Sequence, residues 1–574
     1  MTTAAAPAVR TFPRRFVAAD ADLTDWSVWE THLARLEQRA IGSPAELEAW
    51  LADWSEFAAC IDEAKARAYV AMTCATDDPA REKAYLHFVE NLQPRLKPWT
   101  HRLQNKFLES PHRGALPARR YEVLQRTVRT EVEMFRPENI PLQVEDDKLR
   151  VEYQKISAAQ TVVFDGKEQT LQQMALVLLE QDRVRRQAGW ELVQARRLAD
   201  ADRLDDVFDR MLGLRNRIAA NAGFANYRDY MYREKLRFDY GPDDVARFRD
   251  TIAETVVPLS RKLREDRRRK LGVDRLRPWD LNVDPDNHPP LRPYRTAEEL
   301  VAKCRDIFDH VDATMGGQFR AMSDAGLLDL DSRKGKAPGG YQETFQEARL
   351  PFIFMNSVGT HRDLETMLHE AGHAFHAFAT REDPLVWYRG APMEFCEVAS
   401  MAMELLAAPY LDRFYGPGDR KRALYEHLEG VIHFLPHMAT IDGFQDWLYT
   451  HPGHTRDERR REWMSLMDRF GNTGDWTGYE DRLARQWQKQ LHIYEVPFYY
   501  VEYGIAQLGA LQVWVNSRRD YRKAVSDYAA GLALGGSRPL PELFATAGIR
   551  FDFSAETIAP LMAAVGEELA SLAG

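Results

Sequence analysis

Residues 368–378 read Leu-His-Glu-Ala-Gly-His-Ala-Phe-His-Ala-Phe (LHEAGHAFHAF), and this stretch decides both the local fold and the chemistry. Around it Leu364, Met367, Leu368, Ala371, Phe375 and Phe378 recur at three- and four-residue intervals, the period of a helix with one buried face. Thr360 and Asp363 are spaced as a capping box at its start. On such a helix His369 and His373 share a face, with Glu370 beside them. Neutral imidazoles at this spacing suit Zn²⁺, which in catalytic sites keeps three protein ligands and one position for water. A carboxylate next to them is placed to take that water's proton. The motif predicts a zinc peptidase holding one ion per chain, with His369 and His373 as ligands and Glu370 as general base.

The downstream sequence supplies the third ligand. An extended histidine motif would need glycine at 376 and histidine at 379, where the chain has His376 and Ala379. The glutamate of the zinc aminopeptidases would fall on Pro392. That proline instead opens PMEFCEVASMAMELLA, an apolar helical segment with Glu394, Glu397 and Glu404, the last two sharing a face. Carboxylates on a helix this rich in Ala, Met and Leu are costly to bury without a metal or hydrogen-bond donors. Glu397 is the expected third ligand, with Glu394 and Glu404 as orienting acceptors for the ligand histidines or as surface carboxylates.

HEAGHAFH followed by EFCEVASMAME resembles the M3 peptidases, the thimet oligopeptidase and oligoendopeptidase F group, whose pattern is HExGHxxH followed by FxExxS. The family's third zinc ligand falls on Glu397, and its extra histidine on His376. The resemblance runs through GFANYRDY (223–230), LRPWDL (276–281), KAPGGYQETF (336–345), PFIFMNS (351–357), HIYEVPFYYVEYGIAQL (492–508) and GGSRPLPELFATAGIRF (535–551), covering roughly residues 150–574. It implies a mainly α fold: a two-lobed helical clam with a deep central channel, a zincin HExxH core and a small β-sheet near the active site. Residues 1–200 would form an N-terminal helical lobe with a short hairpin near 160–170. Residues 201–574 would form the catalytic domain, parts of which complete both lobes.

By the same resemblance His492, Tyr499 and Tyr503 line the cleft and donate hydrogen bonds to the oxyanion formed during hydrolysis, with Tyr500 alongside. The tyrosine spacing departs by one residue from the thimet-like members. Gly339, Gly340 and Tyr341 belong to a substrate-binding segment. Its glycines let backbone approach closely, and the β-prone run Pro351–Met355 is expected as an edge strand able to pair with an extended peptide. His376 and Glu394 are expected to orient ligands or touch substrate. The implied activity is internal cleavage of short oligopeptides. The alternatives are a catalytically weak helical peptide-binding protein that retains the zinc site, against which an intact Glu370 argues, and a structural zinc protein in which a fourth side chain closes the metal, against which the open position of HExxH sites argues.

Other features exclude more than they suggest. His433 and His437 are four apart, but Pro436 lies between them and no acid stands as base. The basic runs at 264–271 and 456–463 read as solvated helix faces or linkers, and a net charge of −10 without a phosphate-binding glycine loop does not indicate nucleic acid. The N-terminal MTTAAAPAVRTFPRRF has no long apolar run, and no segment approaches the roughly 20 apolar residues of a membrane span. Four cysteines, Cys60, Cys74, Cys304 and Cys396, form no CxxC pair, which fits reduced thiols in the cytoplasm. No obligate protein partner is indicated. Elsewhere helix starts are read at Ser43-Pro44, Asp78-Pro79 and Thr296, with a hairpin turn at Asp165-Gly166.

Overall fold

A computed structural model of the chain describes residues 11–471 and 474–573, so positions 1–10 of the N-terminal stretch lie outside the described residues. Helices dominate. They include α1 (Pro44–Cys74), α2 (Val257–Lys270), α3 (His361–Thr380), α4 (Met393–Ala407), α5 (Arg456–Phe470), α6 (Tyr500–Arg519) and α7 (Tyr521–Leu532). The strands are β1 (Thr161–Phe164), β2 (Lys167–Thr170), β3 (Leu328–Asp331), β4 (Tyr341–Phe345) and β5 (Leu350–Ser357). Among the described residues no helix is long and apolar enough to cross a membrane.

The local signals act as their chemistry dictates. Ser43 accepts from the Glu46 N–H with Pro44 in the first turn of α1, Asp78 accepts from Ala80, and Thr296 accepts from Glu299. The β1–β2 hairpin closes through Asp165 and Gly166, both at positive φ (52° and 72°), as an Asp-Gly turn favours.

The contacts divide the chain into two interleaved units. Unit 1 comprises Met1–Glu133, Leu291–Leu424 and Ala506–Phe551; unit 2 comprises Met134–Pro290, Tyr425–Ile505 and Asp552–Gly574. Unit 1 has an aromatic core that includes Trp29, Trp50, Phe57 and Phe107, and a three-stranded sheet in the order β3-β5-β4. β5 pairs parallel with β3 and antiparallel with β4, so the run Pro351–Met355 is the centre of the sheet rather than its edge. Its unbroken apolar sequence reflects burial on both faces, which is the mark of a central strand. The edge beside the helices is β4. α3 packs on β4 and β5, and α1 on β4.

In unit 2 a fully buried arginine fixes the backbone ahead of α6. Arg215 donates to Asp146, to the Tyr449 hydroxyl at 2.8 Å, and to the carbonyls of Ile493 (3.0 Å) and Tyr494. A buried guanidinium is tolerable only when its donors are used, and these four acceptors use them. Arg237 likewise holds the Phe498 carbonyl and Glu502 Oε1, while the Phe498 N–H donates to Gln445 Oε1 at 2.9 Å. The basic runs, also in this unit, are helical as read, but part of each is built in rather than solvated. Arg459 is 1% exposed and pairs with Asp205 and Asp209, while Arg267 pairs with Glu429. Their acidic partners lie far away in sequence, which a local reading does not reach.

Candidate metal centre

Helix α3 begins as its sequence requires: Thr360 Oγ1 accepts from the Asp363 N–H at 3.2 Å, and Asp363 Oδ2 accepts from the Thr360 N–H at 2.9 Å. Asp363 also accepts from Val358 N–H and the Tyr294 hydroxyl, so the start of α3 is pinned to the preceding loop. Further along, α3 crosses α4 at Gly372. A Cβ at that position would stand 2.5 Å from the Ala399 carbonyl oxygen and 2.6 Å from Ser400 Cα, so the two backbones approach more closely than any side chain permits. α4 is held in turn by α7, whose Tyr528 hydroxyl donates to the Ala399 carbonyl at 2.7 Å.

That crossing brings Glu397 up to the two histidines. Ligand-type atoms of His369, His373 and Glu397 all lie within 4.8 Å of one another. Glu397 Oε2 is 3.3 Å from His369 Nε2 and 3.7 Å from His373 Nε2. Each ring is backed on its other nitrogen: His369 Nδ1 by Glu404 Oε1 at 2.7 Å, and His373 by the main-chain carbonyl of Cys396. With Nδ1 facing Glu404, His369 turns its Nε2 to Glu397, and the Nε2 of His373 faces the same carboxylate oxygen. Ser400 Oγ donates to Glu397 Oε2 at 3.1 Å and fixes that carboxylate. Glu404 thus plays the orienting part, whereas Glu394 is buried in the first turn of α4, where the helix dipole favours a carboxylate.

The charges favour a cation at this point. Burial opposes a charge on His369, but Glu397 and Glu404 outweigh it and raise the imidazole well above its ordinary range. Burial, and the nearby His369, push His373 down to about 4. Glu397 is held at about 2, the histidines and Ser400 outweighing its burial. Glu370 is 7% exposed, and burial lifts it to about 7 despite His369, with the Gln342 N–H of β4 donating to its carboxylate. A carboxylate titrating near neutrality suits proton transfer.

The other expected residues of unit 1 sit around this centre. His376 is buried edge-on to Phe395, with ring centroids 6.1 Å apart, and its Nε2 has no hydrogen-bond partner among the described residues. Burial and His373 push it down to about 3, so it is a neutral ring in the α3–α4 interface. Gly339 has φ of 96°, and Gly340 lies where a Cβ would meet Thr366 Cγ2 at 3.1 Å, so the chain entering β4 runs tight against α3. Tyr341 stacks on Phe354 at 4.8 Å and its hydroxyl bonds Thr73 Oγ1 at 2.6 Å, which commits it to anchoring β4.

In unit 2 His492, Tyr499, Tyr500 and Tyr503 form one aromatic cluster. The His492 ring centroid lies 4.8 Å from Tyr500, 6.0 Å from Tyr499 and 6.2 Å from Tyr503. Gln490 Nε2 donates to His492 Nδ1 at 2.8 Å, and burial pushes the ring down to about 4. His492 is therefore neutral, with Nδ1 accepting from Gln490 and its proton on Nε2. His433 and His437 do not form a metal pair. Ser260 Oγ bonds His433 Nδ1 at 2.9 Å, and His437 lies edge-on to Tyr500. The second group of metal-type side chains among the described residues, Asp284, Asp286 and His288, is on a loop where Asp284 caps backbone N–H groups of the other two.

Sequence reasoning assigns no role to Gly372, Ser400 or Gln490. Gly372 and Ser400 are fixed positions of the HExGHxxH and FxExxS patterns, but reading what they do requires knowing that the two helices cross there, and Gln490 leaves no signal.

The family model described as "Peptidase family M3" matches residues 176–562, and "Peptidase M3 N-terminal domain" matches 20–135. Oligopeptidase PepF of Bacillus subtilis (strain 168) is 23% identical over 314 residues, 52% of this chain and 45% of that protein. The chain thus spans under half the length of that relative in the match. Among solved structures, PZ peptidase A with an inhibitor superposes with a TM-score of 0.88 at 28% identity, covering 97% of this chain and 99% of that one. A crystal structure assigned as an oligoendopeptidase F gives 0.88 at 29% identity with the same coverage of 97% and 99%.

Proposed function

Since the chain belongs to peptidase family M3, we propose that it is a zinc-dependent endopeptidase that cuts internal bonds of short oligopeptides, with Glu370 as general base. The observation that carries this reading is the convergence of His369 Nε2, His373 Nε2 and Glu397 Oε2, with Glu404 behind His369 and Ser400 on Glu397, beside the buried carboxylate of Glu370. The donor set fits zinc: two imidazoles and one carboxylate, with outer partners that fix the tautomers. The ion, when bound, supplies Lewis acidity towards water and the scissile carbonyl.

The chain's own groups do the rest. The edge of β4 receives an extended peptide by main-chain hydrogen bonding, next to Glu370, whose carboxylate already takes the Gln342 N–H of that strand. Glu370 removes the proton of the attacking water and returns it to the departing amine nitrogen. In unit 2 the Nε2–H of His492 and the hydroxyls of Tyr499 and Tyr503 are assigned as hydrogen-bond donors to substrate, with Tyr500 supporting His492; this assignment rests on the family resemblance.

A quenched-fluorescent peptide tests the proposal. Cleavage is expected to stop with a chelator and return with stoichiometric zinc. Zinc binding without cleavage of any member of a random peptide library would overturn it.

A further inference from the structure

One residue between His492 and the tyrosines stands in a backbone conformation that its side chain disfavours. Val496, Pro497, Phe498 and Tyr499 form a turn closed by the Tyr499 N–H on the Val496 carbonyl at 3.2 Å. Proline is common at the second place of such a turn, but a third place with positive φ normally takes glycine. Here it is Phe498, with φ of 61°. On the reading that His492, Tyr499 and Tyr503 donate to substrate, on which this inference rests, we propose that Gln445 and Arg237 are positioning residues for the reaction. They hold Phe498 in the left-handed conformation and so set the placement of those donors.

The two residues grip both main-chain groups of Phe498. Its N–H donates to Gln445 Oε1 at 2.9 Å, from the helix Pro417–Thr450, and its carbonyl accepts from Arg237. All three residues are buried, so the turn depends on these partners for its hydrogen bonds. The Phe498 ring is packed as well, its centroid 5.6 Å from that of Tyr449 and 6.0 Å from that of Tyr232. Arg237 is fixed in turn by Glu502 at 2.8 Å, and Lys235 reaches the same Glu502 Oε1 at 3.1 Å. Glu502 lies in the first turn of α6, one residue before Tyr503, and Lys235 Nζ stands 5.1 Å from the centre of the Tyr499 ring.

Leu236, between the two cations, also has a positive φ, 57°, just past the helix Tyr227–Glu234, where glycine is usual. Two bulky residues in glycine-type backbone are thus linked through Arg237, and strain of this kind persists only where the surroundings over-determine it. An L side chain disfavours the left-handed region by about tenfold or more. Without its grip Phe498 would leave that region, and the rings of His492 and Tyr499, now stacked with centroids 6.0 Å apart, would lose their common orientation.

Peptide cleavage by the zinc-loaded full chain tests this. Gln445→Met removes the acceptor at similar volume and should lower kcat by about tenfold with KM within about twofold, because donors to an oxyanion act in the transition state. Gln445→Glu keeps an acceptor oxygen and should stay within about threefold of the parental kcat. A second readout needs no turnover: hydrogen exchange at the Phe498 amide should quicken by about tenfold or more in Gln445→Met and not in Gln445→Glu. If Gln445→Met fails to fold, Arg237→Lys should show the same two changes, since it keeps a cation beside Glu502 but loses the planar group whose Nη2 serves both acceptors. Tyr499→Phe and Tyr503→Phe separate the two readings: if both keep the parental kcat, the donor assignment fails and this proposal with it. If either loses activity while folded Gln445→Met keeps the parental kcat or the parental exchange rate, or while Gln445→Glu loses as much as Gln445→Met, the positioning role alone is refuted.

Discussion

Replacing Gly372 by alanine tests whether the helix crossing builds the metal centre. The new methyl carbon would lie 2.5 Å from the Ala399 carbonyl oxygen, a main-chain atom that cannot swing aside. Ordinary C···O contacts lie at about 3.3 Å or more, so α4 must retreat by about 0.8 Å. Glu397 rides on the same turn of α4 as Ala399, and metal–ligand distances tolerate only about 0.2 Å. The displacement is therefore about four times what the carboxylate can absorb, and zinc affinity should fall by about a hundredfold, or some 2.7 kcal/mol. Overpacking costs about 1–3 kcal/mol, offset by up to about 1 kcal/mol of helix propensity, so the metal-free protein should lose about 3 kcal/mol or less. A chromogenic chelator competition measures the first quantity and thermal melting without zinc the second. Gly430→Ala is the control: that glycine is exposed on the helix Pro417–Thr450 with nothing within 4 Å of its Cβ position, and the change should stabilise. If Gly372→Ala bound zinc within about threefold of the parent, the tolerance argument would be wrong.

Glu370→Gln should keep zinc while slowing cleavage by about two to four orders of magnitude, read as kcat on a fluorogenic peptide; parental kcat would remove Glu370 from the reaction. Glu404→Ala frees His369 Nδ1 from its acceptor and should weaken zinc binding by about 10- to 100-fold, measured by the same chelator competition. Asp280 gives a pH prediction away from the metal. It is fully buried, and although burial raises it, Arg183, the Arg277 N–H and Arg186 together hold it below the ordinary aspartate value. Because its folded pKa is the lower one, its stabilisation is complete above about pH 4 and drains away as pH falls further. Asp280→Asn leaves Arg186 buried without its counter-charge, should cost about 3–5 kcal/mol at pH 7, and should flatten the acid side of the melting profile; a variant with the parental profile would show that other carboxylates govern acid unfolding.

What the sequence reveals is local. Thr360 with Asp363, Ser43 with Glu46, and Asp165 with Gly166 each carry their geometry within four residues, and each forms the predicted cap or turn. The two histidines and Glu397 are legible because helical periodicity assigns faces without knowing what they face. The rest depends on partners far along the chain. The run Pro351–Met355 carries an unbroken apolar pattern that fits a central strand, but which strands flank it, β3 and β4, is not marked by any pattern of its own. The arginines of 456–463 read as solvated because Asp205 and Asp209 lie some 250 positions away. Gln490, which sets the tautomer of His492, is a polar residue in an irregular segment with no distinguishing spacing.

The interleaving of the two units bears on how the polypeptide is made. Unit 2 includes Asp552–Gly574, whose helix Ala555–Ala573 packs on the helix Pro242–Thr255 that leaves the ribosome some 300 residues earlier. Until the later helix emerges, Val245, Phe248 and Ile252, fully buried in the finished protein, lack part of their cover. Neither half can mature vector-fashion from its own continuous stretch, so acquisition of structure must wait for that helix or be guarded by chaperones meanwhile. A premature stop codon ahead of Ala555 would leave a sticky intermediate rather than a slightly shortened enzyme.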